Sequence, residues 1–569
     1  MAVTIDQLEP RIFLSQTPAS PRPETLGAPF DKGERQVLLD RLTAIPSGTR
    51  TTLQNHLNSN SVGSFDSLLR SHFQARTGTN FYFAPANAGS IASYIAGTLG
   101  DSGASVRSDK IVDDRLFPQD TSTADFTVSL PANINWQNPG VSPSPDFIHA
   151  LHRFQYWNDL ALTYLDTGNS KYVQEMMYQL ADWHSEMQVI TSPPAATSDT
   201  AGWQLDTSIR TENFVWAYFS LLNDAGWTNA SNSLLLYKIV QHGDFLYSEA
   251  ATNLDTASNR TLTLAKGLHY LGVLFPEVNN SADWAVAGRN LLFASMDGQF
   301  YDDGGHVEQS PGYTVNAIED LLESKHLDAL NGTSWPGTRS TKLSNAVTSY
   351  WQMLSLDGSR PAISDTYRNT SVTLFLKANE IQNVTTWPEA NPRPRDAWLF
   401  GTAFSNSKIG NPVTPAMGNR GDTYAMTDAG YYVMRSGNTT SDRQIIFDIG
   451  PKGGIHGHFD TLNFELWGGG RPLIKDPGPF KYDNSADRSY VISTRAHNTI
   501  NIAGNNIGEL EGANNPGLQV SQWAVSGSSA QITATHRGYQ HLAGRPVVTR
   551  SMWYDLDGTI VIVDFVESN

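Results

Sequence analysis

From about residue 33 to about residue 390, apolar residues recur at steps of three and four, the spacing that places them on one face of a helix. Phe147, Leu151, Phe154, Trp157, Ala161 and Tyr164 form one such stripe, and Tyr172, Met176, Leu180 and Trp183 begin the next after the turn Asp166 to Ser170. Further stripes lie in ENFVWAYFSLL, LTLAKGLHYLGVLF, WAVAGRNLLFASM and YTVNAIEDLL, joined by short polar or glycine-containing links. Helix pairs on short loops predict a toroid or solenoid of helical hairpins, although no fixed sequence period accompanies them.

Past about residue 396 the period falls to two. GYYVMRS, RQIIFDIG, TLNFELWG, LQVSQWAV, AQITATHR and TIVIVDFVE are short, alternating and rich in β-branched or aromatic residues, with Gly, Asn and Asp between them. This pattern predicts an antiparallel β-sandwich. The expected organisation is a flexible segment over 1–32, a helical domain over 33–395 and a sandwich over 396–569, the last either a short sandwich or one truncated at its C-terminal side.

At 569 residues, 39% hydrophobic and 17% charged, the chain is globular and long enough for two cores. No run approaches the roughly 18 apolar residues of a membrane span. The net charge of -17 argues against nucleic acid as a partner and requires any anionic ligand to meet local arginines. With no cysteine, thiolate metal sites and a Cys nucleophile are excluded. An ordinary signal peptide is not visible. Leu8 to Pro18 does resemble a short N-terminal segment of some exported bacterial proteins, which implies a secreted or periplasmic protein; a plain tail is the alternative.

Three stretches carry candidate chemistry. In GGIHGHFD, His456 and His458 share a face if the segment is extended. With Asp476 in LIKDPG and His497 in STRAHNTI they offer a donor set suited to zinc or a similar divalent ion. Without a compact ligand motif, hydrogen-bonded histidines and a turn-capping aspartate are the competing reading. In DDGGHVEQSPGY, Tyr313 opens a helix beside His306 and Glu308; it is an acid or base if a cation lowers its pKa from about 10, or else a packing residue. In SNRTLTLAKG, Asn259 and Arg260 start a helix, where the macrodipole opposes a cation unless an anion sits nearby. Arg210 and Asn213 lie one turn apart on another helix. Trp203 is a possible sugar platform, whereas Trp216 and Tyr218 fit a helical core.

Taken together, these stretches resemble the heparinase II/III-like group of polysaccharide lyases. The segment from Asn138 to Val173 looks like the start of their incomplete helical toroid, DGGHVEQSPGY like the loop presenting a catalytic tyrosine, and HGHFDTLNFELWGGGRPLIKDPG with SYVISTRAHNTI like their β-sandwich signature. The resemblance implies an incomplete α/α toroid followed by an antiparallel β-sandwich. It makes Tyr313 and His456 catalytic, and His458, Asp476 and His497 the ligands of one divalent ion, zinc, that shapes the site, with no organic cofactor. Asn259 matches the residue that neutralises the substrate carboxylate; Arg260 stands where the family usually has histidine. The implied reaction is β-elimination on a 4-linked uronic-acid polysaccharide, of glycosaminoglycan type first and alginate second. Arg153, Arg210, Arg260, Arg488 and Arg495 are the arginines available to a polyanion, each with surface ion pairing as its alternative. A metal-dependent glycan hydrolase and a non-catalytic glycan-binding protein are the competing functions.

Overall fold

The computed structural model describes residues 30–568 apart from 120–124, 141–145, 189, 198, 370–372, 411–417, 419, 481–484, 513–514, 528 and 556–557. Residues 1–29 of the expected N-terminal segment, including Leu8 to Pro18, lie outside the described residues. Asp31 caps the first helix, Lys32–Arg41, through a reciprocal capping box with Glu34.

From Trp157 onward the helices alternate between two layers. Trp157–Thr167, Thr200–Leu221, Asn259–Leu274, Pro311–Leu330 and Thr373–Gln382 each contact the next in that series; Ser170–Glu186, Asn229–Ala250, Ser281–Gln299 and Gly337–Met353 connect them from outside. This is the expected toroid of hairpins. Its tightest hairpin depends on glycine, since a Cβ on Gly272 would stand 2.1 Å from the backbone nitrogen of Ala285 and one on Gly288 would stand 2.5 Å from that of His269.

The stripe predicted from Phe147 to Tyr164 as one helix is two. Phe154 adopts φ 55 between Phe147–Arg153 and Trp157–Thr167. The exposed carbonyls of the break are taken by side chains from the Thr200–Leu221 helix: Arg210 Nη1 donates to His152 O at 2.7 Å and Asn213 Nδ2 to Arg153 O at 2.9 Å.

Inside the ring, Glu323 accepts from Lys266 (3.1 Å), Lys377 (3.0 Å) and Arg395 (2.6 Å), while Lys266 also pairs with Glu212 (2.9 Å) and Asp320 (2.8 Å). Removing one member of a buried charge network costs more than the intact network gains, because the remaining charges lose their compensation. Glu323→Ala is therefore expected to destabilise the fold by about 3–5 kcal/mol. Calorimetry should show a Tm lower by several degrees, and an unchanged Tm would refute the network's structural role.

The helices run on to Lys408, beyond the expected boundary at 395, and the sandwich strands begin at Thr423. A separate hairpin, β1 (Leu116–Pro118) with β2 (Phe126–Ser129), belongs to the helical domain. One sandwich sheet is antiparallel in the order β3 (Thr423–Met426), β4 (Tyr431–Arg435), β5 (Gln444–Asp448), β6 (Phe464–Gly468), β7 (Arg471–Ile474). The second has β8 (Leu518–Ser526), β9 (Ser529–His536), β10 (Val547–Asp555) and β11 (Ile560–Glu567) in the order β11-β10-β9-β8. Strands β3, β7 and β10 were not separated in the sequence pattern.

Strands β4 and β5 are buried at every residue because both faces of their sheet are covered. Tyr432, Met434, Ile445 and Phe447 pack toward the second sheet, and Tyr431, Val433 and Ile446 pack toward Met353 and Ile363 of the helical side. Arg420 Nη1 then donates to the carbonyls of Trp351 (3.1 Å) and Leu354 (2.6 Å), and Arg435 reaches Gln352. These contacts hold the sandwich against the toroid and fix what lies at their junction.

Candidate active site

The helices Asn259–Leu274 and Pro311–Leu330 lie side by side with their N-termini at the same end. Asn259 N approaches Glu308 Oε1 at 3.4 Å, and two turns further in Lys266 meets Asp320. Asn259, Thr263 and Lys266 share one face, and Tyr313 and Asp320, seven residues apart, share the other. The N-terminal end of this pair faces the sandwich.

There the Tyr313 ring stacks on the His456 ring, with centroids 3.5 Å apart and planes 21° from parallel. The two candidates for proton transfer, 143 positions apart by their numbers, are thus in van der Waals contact. The HGH segment is not the extended strand that would put both histidines on one face; Gly454–His456 is a turn, and the next strand begins only at Phe464. Gly457 permits this path, because a Cβ there would fall 1.4 Å from the carbonyl oxygen of Lys452.

Both histidines instead face a residue that sequence reasoning missed. Asp365, with a fully buried side chain, lies 3.0 Å from His458 Nε2 and 3.5 Å from His456 Nδ1. Its backbone N donates to His456 O at 3.1 Å. Arg488 closes a two-pronged pair on the same carboxylate at 2.5 and 2.8 Å. Burial opposes the charge on Asp365, but the hydrogen bonds from His456, His458 and Arg488 override it and hold the carboxyl well below the ordinary range.

His458, Asp476 and His497 come together as expected: all three are buried, and one potential ligand atom from each lies within 4.8 Å of the others. Asp476 Oδ2 accepts from His497 Nδ1 at 2.8 Å and from Asn463 Nδ2 at 2.6 Å. That leaves His497 Nε2 and His458 Nδ1 as buried nitrogens without partners among the described residues. Two imidazole nitrogens and a carboxylate, all buried, fit a metal ion by donor chemistry. Asp460 adds a second carboxylate beside this group, with its pKa pushed up to about 6 by burial despite the nearby His497.

The remaining candidates divide. Arg260 is half-buried, and its Nε is buried with no partner among the described residues. Glu308 is 9% exposed beside Asn259, and burial raises its pKa despite His456. Arg153 is part-buried and pairs with the buried Asp206 at 2.7 Å alongside His149. Arg495 is exposed two residues before His497.

Four candidate substrate contacts face the interior instead. Arg210 has no exposure; it lies over the rings of Trp183 and Trp203, and its Nε donates to His242. Trp203, 2% exposed, donates its indole N–H to Ile190 O and has no face left for a sugar. Asn213 serves the helix break described above. His306 packs on Phe300 and hydrogen-bonds Gln299, and burial lowers its pKa to about 3, so it shapes the tyrosine loop as a neutral ring. Trp216 and Tyr218 are core, as their stripe predicts. Arg488, expected to touch substrate, spends its guanidinium on Asp365.

Comparison with known proteins agrees with this architecture. Residues 73–392 match the model "Heparinase II/III N-terminus" and residues 419–569 match "Heparinase II/III-like, C-terminal". The chain belongs to the heparinase II/III family. It is 25% identical over 419 residues to a heparin-sulfate lyase of Pedobacter heparinus, covering 72% of this chain and 59% of the relative. A heparin-sulfate lyase of Bacteroides thetaiotaomicron is 25% identical over 460 residues, covering 77% and 62%. The chain thus spans about three fifths of the length of the curated relatives it matches. Its fold is similar to a crystal structure of heparinase III (TM-score 0.74, 20% identity, 94% of this chain and 79% of the other). It is also similar to the heparan sulfate lyase HepC from Pedobacter heparinus (TM-score 0.59, 21% identity, 94% and 78%).

Proposed function

We propose that the protein is a polysaccharide lyase that cleaves a 4-linked uronic-acid polysaccharide, of the heparan type among glycosaminoglycans, by β-elimination. The observation that carries this is the Tyr313–His456 stack at the helix N-termini where Asn259 and Arg260 begin. The names of the relatives favour the heparan class, and the family supports the lyase chemistry.

The C5 proton of a uronate is poorly acidic while its carboxylate is ionised. Asn259 and Arg260 at that carboxylate stabilise the charge that develops as the proton leaves, Arg260 as a permanent cation with an unused Nε. His456 or Tyr313 takes the C5 proton, according to the ring face on which the uronate epimer presents it. The electron pair forms the C4–C5 double bond, the C4–O4 bond breaks, and Tyr313 gives a proton to the departing oxygen. The products are a 4,5-unsaturated uronate end and a new hydroxyl end, with no water consumed. Arg153 and Arg495 are the outlying cations for anionic groups along the chain. His458, Asp476 and His497 would hold one divalent ion, zinc by its ligand chemistry, whose contribution is to fix the shape of the HGH turn. A secreted or periplasmic location suits a polymer of this size.

The test is absorbance of new unsaturated uronate with heparan sulfate, chondroitin sulfate, hyaluronan and alginate. A rise with heparan sulfate is expected. New reducing ends without absorbance would establish a hydrolase, and a rise with alginate alone would replace the polymer class.

A further inference from the structure

Two cations at the start of the toroid share one carboxylate. Asp206, with a side chain 1% exposed, accepts from Arg153 Nε on one oxygen and from His149 Nδ1 on the other, both at 2.7 Å. Arg153 approaches through one prong, unlike Arg107, which meets Asp159 through Nε and Nη2 together. Its two Nη nitrogens have no hydrogen-bond partner among the described residues, and neither is sealed from solvent. His149 Nε2 is open in the same way, since Asp199 Oδ2 at 3.8 Å is too far to bond it. Gly202 leaves room for the ring, because a Cβ there would stand 2.6 Å from His149 Cε1. The hydrogen bond to Asp206 raises the His149 pKa against burial, with Asp199 adding to the rise and Arg153 opposing it.

These groups lie at the mouth of the Thr200–Leu221 helix, level with Asn259. Gln204, near the start of that helix, bonds Glu249, near the end of Asn229–Ala250. The chain therefore returns to the same end before Asn259–Leu274 begins. A Cβ on Gly267 would stand 3.5 Å from Ser208 O and 3.7 Å from Thr211 Cγ2. Eight residues back along each helix, from 267 to 259 and from 208–211 to 200–203, Asn259 comes level with Gly202 and the His149 ring. Helices packed side by side are about 8–10 Å apart, close to the length of a disaccharide.

We infer that Arg153 and His149, held in place by Asp206, form an anion-binding point that takes a sulfate or carboxylate on the sugar about one disaccharide from the uronate at Asn259. The inference rests on the reading of the ligand as an anionic polysaccharide. The buried carboxylate orients both donors before any ligand arrives, so little side-chain freedom is lost on binding. Their unused N–H groups are charge-assisted donors of the kind that sulfate and carboxylate accept. Asp199, whose side chain is 52% exposed, is the opposing charge at this point, and it caps the helix through Oδ1 on Gly202 N. Its position gives a test whose sign a purely structural ion pair would not reproduce.

Calorimetry with a heparan sulfate octasaccharide measures affinity in the Tyr313→Phe protein, which leaves the ligand uncut. Adding His149→Gln is expected to weaken binding about 5–10-fold, through loss of a charge-assisted hydrogen bond. Adding Asp199→Asn instead keeps the helix cap and removes the opposing charge, so binding should tighten about twofold to threefold. Unchanged affinity in both variants, or weaker binding in both, would overturn the inference. Octasaccharides stripped of sulfate or reduced at the carboxyl then name the anion, since the His149→Gln penalty should vanish with one of them. A penalty that survives both changes would mean contact with a neutral hydroxyl and would also overturn it. A parent that binds no heparan sulfate would remove this inference together with the polymer class. The unsaturated-uronate assay is independent of these affinities. Its failure would strike β-elimination while a His149-dependent affinity upheld the site, and turnover with unchanged affinities would strike the site alone.

Discussion

Tyr313→Phe is expected to abolish nearly all turnover, by about 10³-fold or more in kcat, while polymer binding stays within a few-fold of wild type. Positioned acid–base groups contribute about 10²–10⁴-fold, and Tyr313 would supply the proton that lets O4 leave. The substitution isolates that role because the ring is retained. Phenylalanine preserves the 3.5 Å stack on His456 and the third position of the Pro311–Leu330 helix, so packing and helix start change little. Steady-state kinetics on the responsive polymer, with binding measured separately by calorimetry, distinguishes lost chemistry from lost affinity. Full activity in this variant would end the proposed mechanism, and equal loss of binding would make Tyr313 a substrate platform.

His458→Ala should cost both stability and rate. The ring joins Asp365 to the His458–Asp476–His497 group, lies 5.3 Å from the His497 ring and has no exposed surface on its side chain. Its removal leaves a buried carboxylate short of one donor and takes one of three candidate ligands, so about 3–5 kcal/mol of destabilisation is expected. Elemental analysis should find about one divalent ion per wild-type chain and a clear loss in the variant. A chelator should lower the wild-type Tm while leaving that of the variant nearly unchanged. Wild-type protein that is metal-free, folded and active would remove the ligand assignment, though not the Tyr313–His456 pair.

Much of this molecule is legible in its sequence because helix and strand periods are local properties. The stripes in ENFVWAYFSLL and YTVNAIEDLL and the alternation in RQIIFDIG each fall on the expected element. The grouping of His458, Asp476 and His497, and of Tyr313 with His456, was legible through family resemblance, since spacing alone left it open. Arg210 was misread because a buried arginine and a ligand-binding arginine look alike in sequence. What separates them is the pair of tryptophan rings and the His152 carbonyl that enclose it. Strand β7 was hidden by Pro472, and β3 by its short length.

By itself, then, the sequence determined the change from helical hairpins to antiparallel strands and the residue types that could move a proton or hold an ion. Beyond the groupings that the family resemblance implied, tertiary structure decided which of them meet. Asp365 stands 93 positions from His458, in a segment with no periodicity or motif to mark it, and becomes part of the site only when the toroid carries it under the HGH turn. Periodicity reports which face of an element is apolar. The partner of a buried polar group is set by packing between elements distant in sequence, where every donor left without water has to find an acceptor.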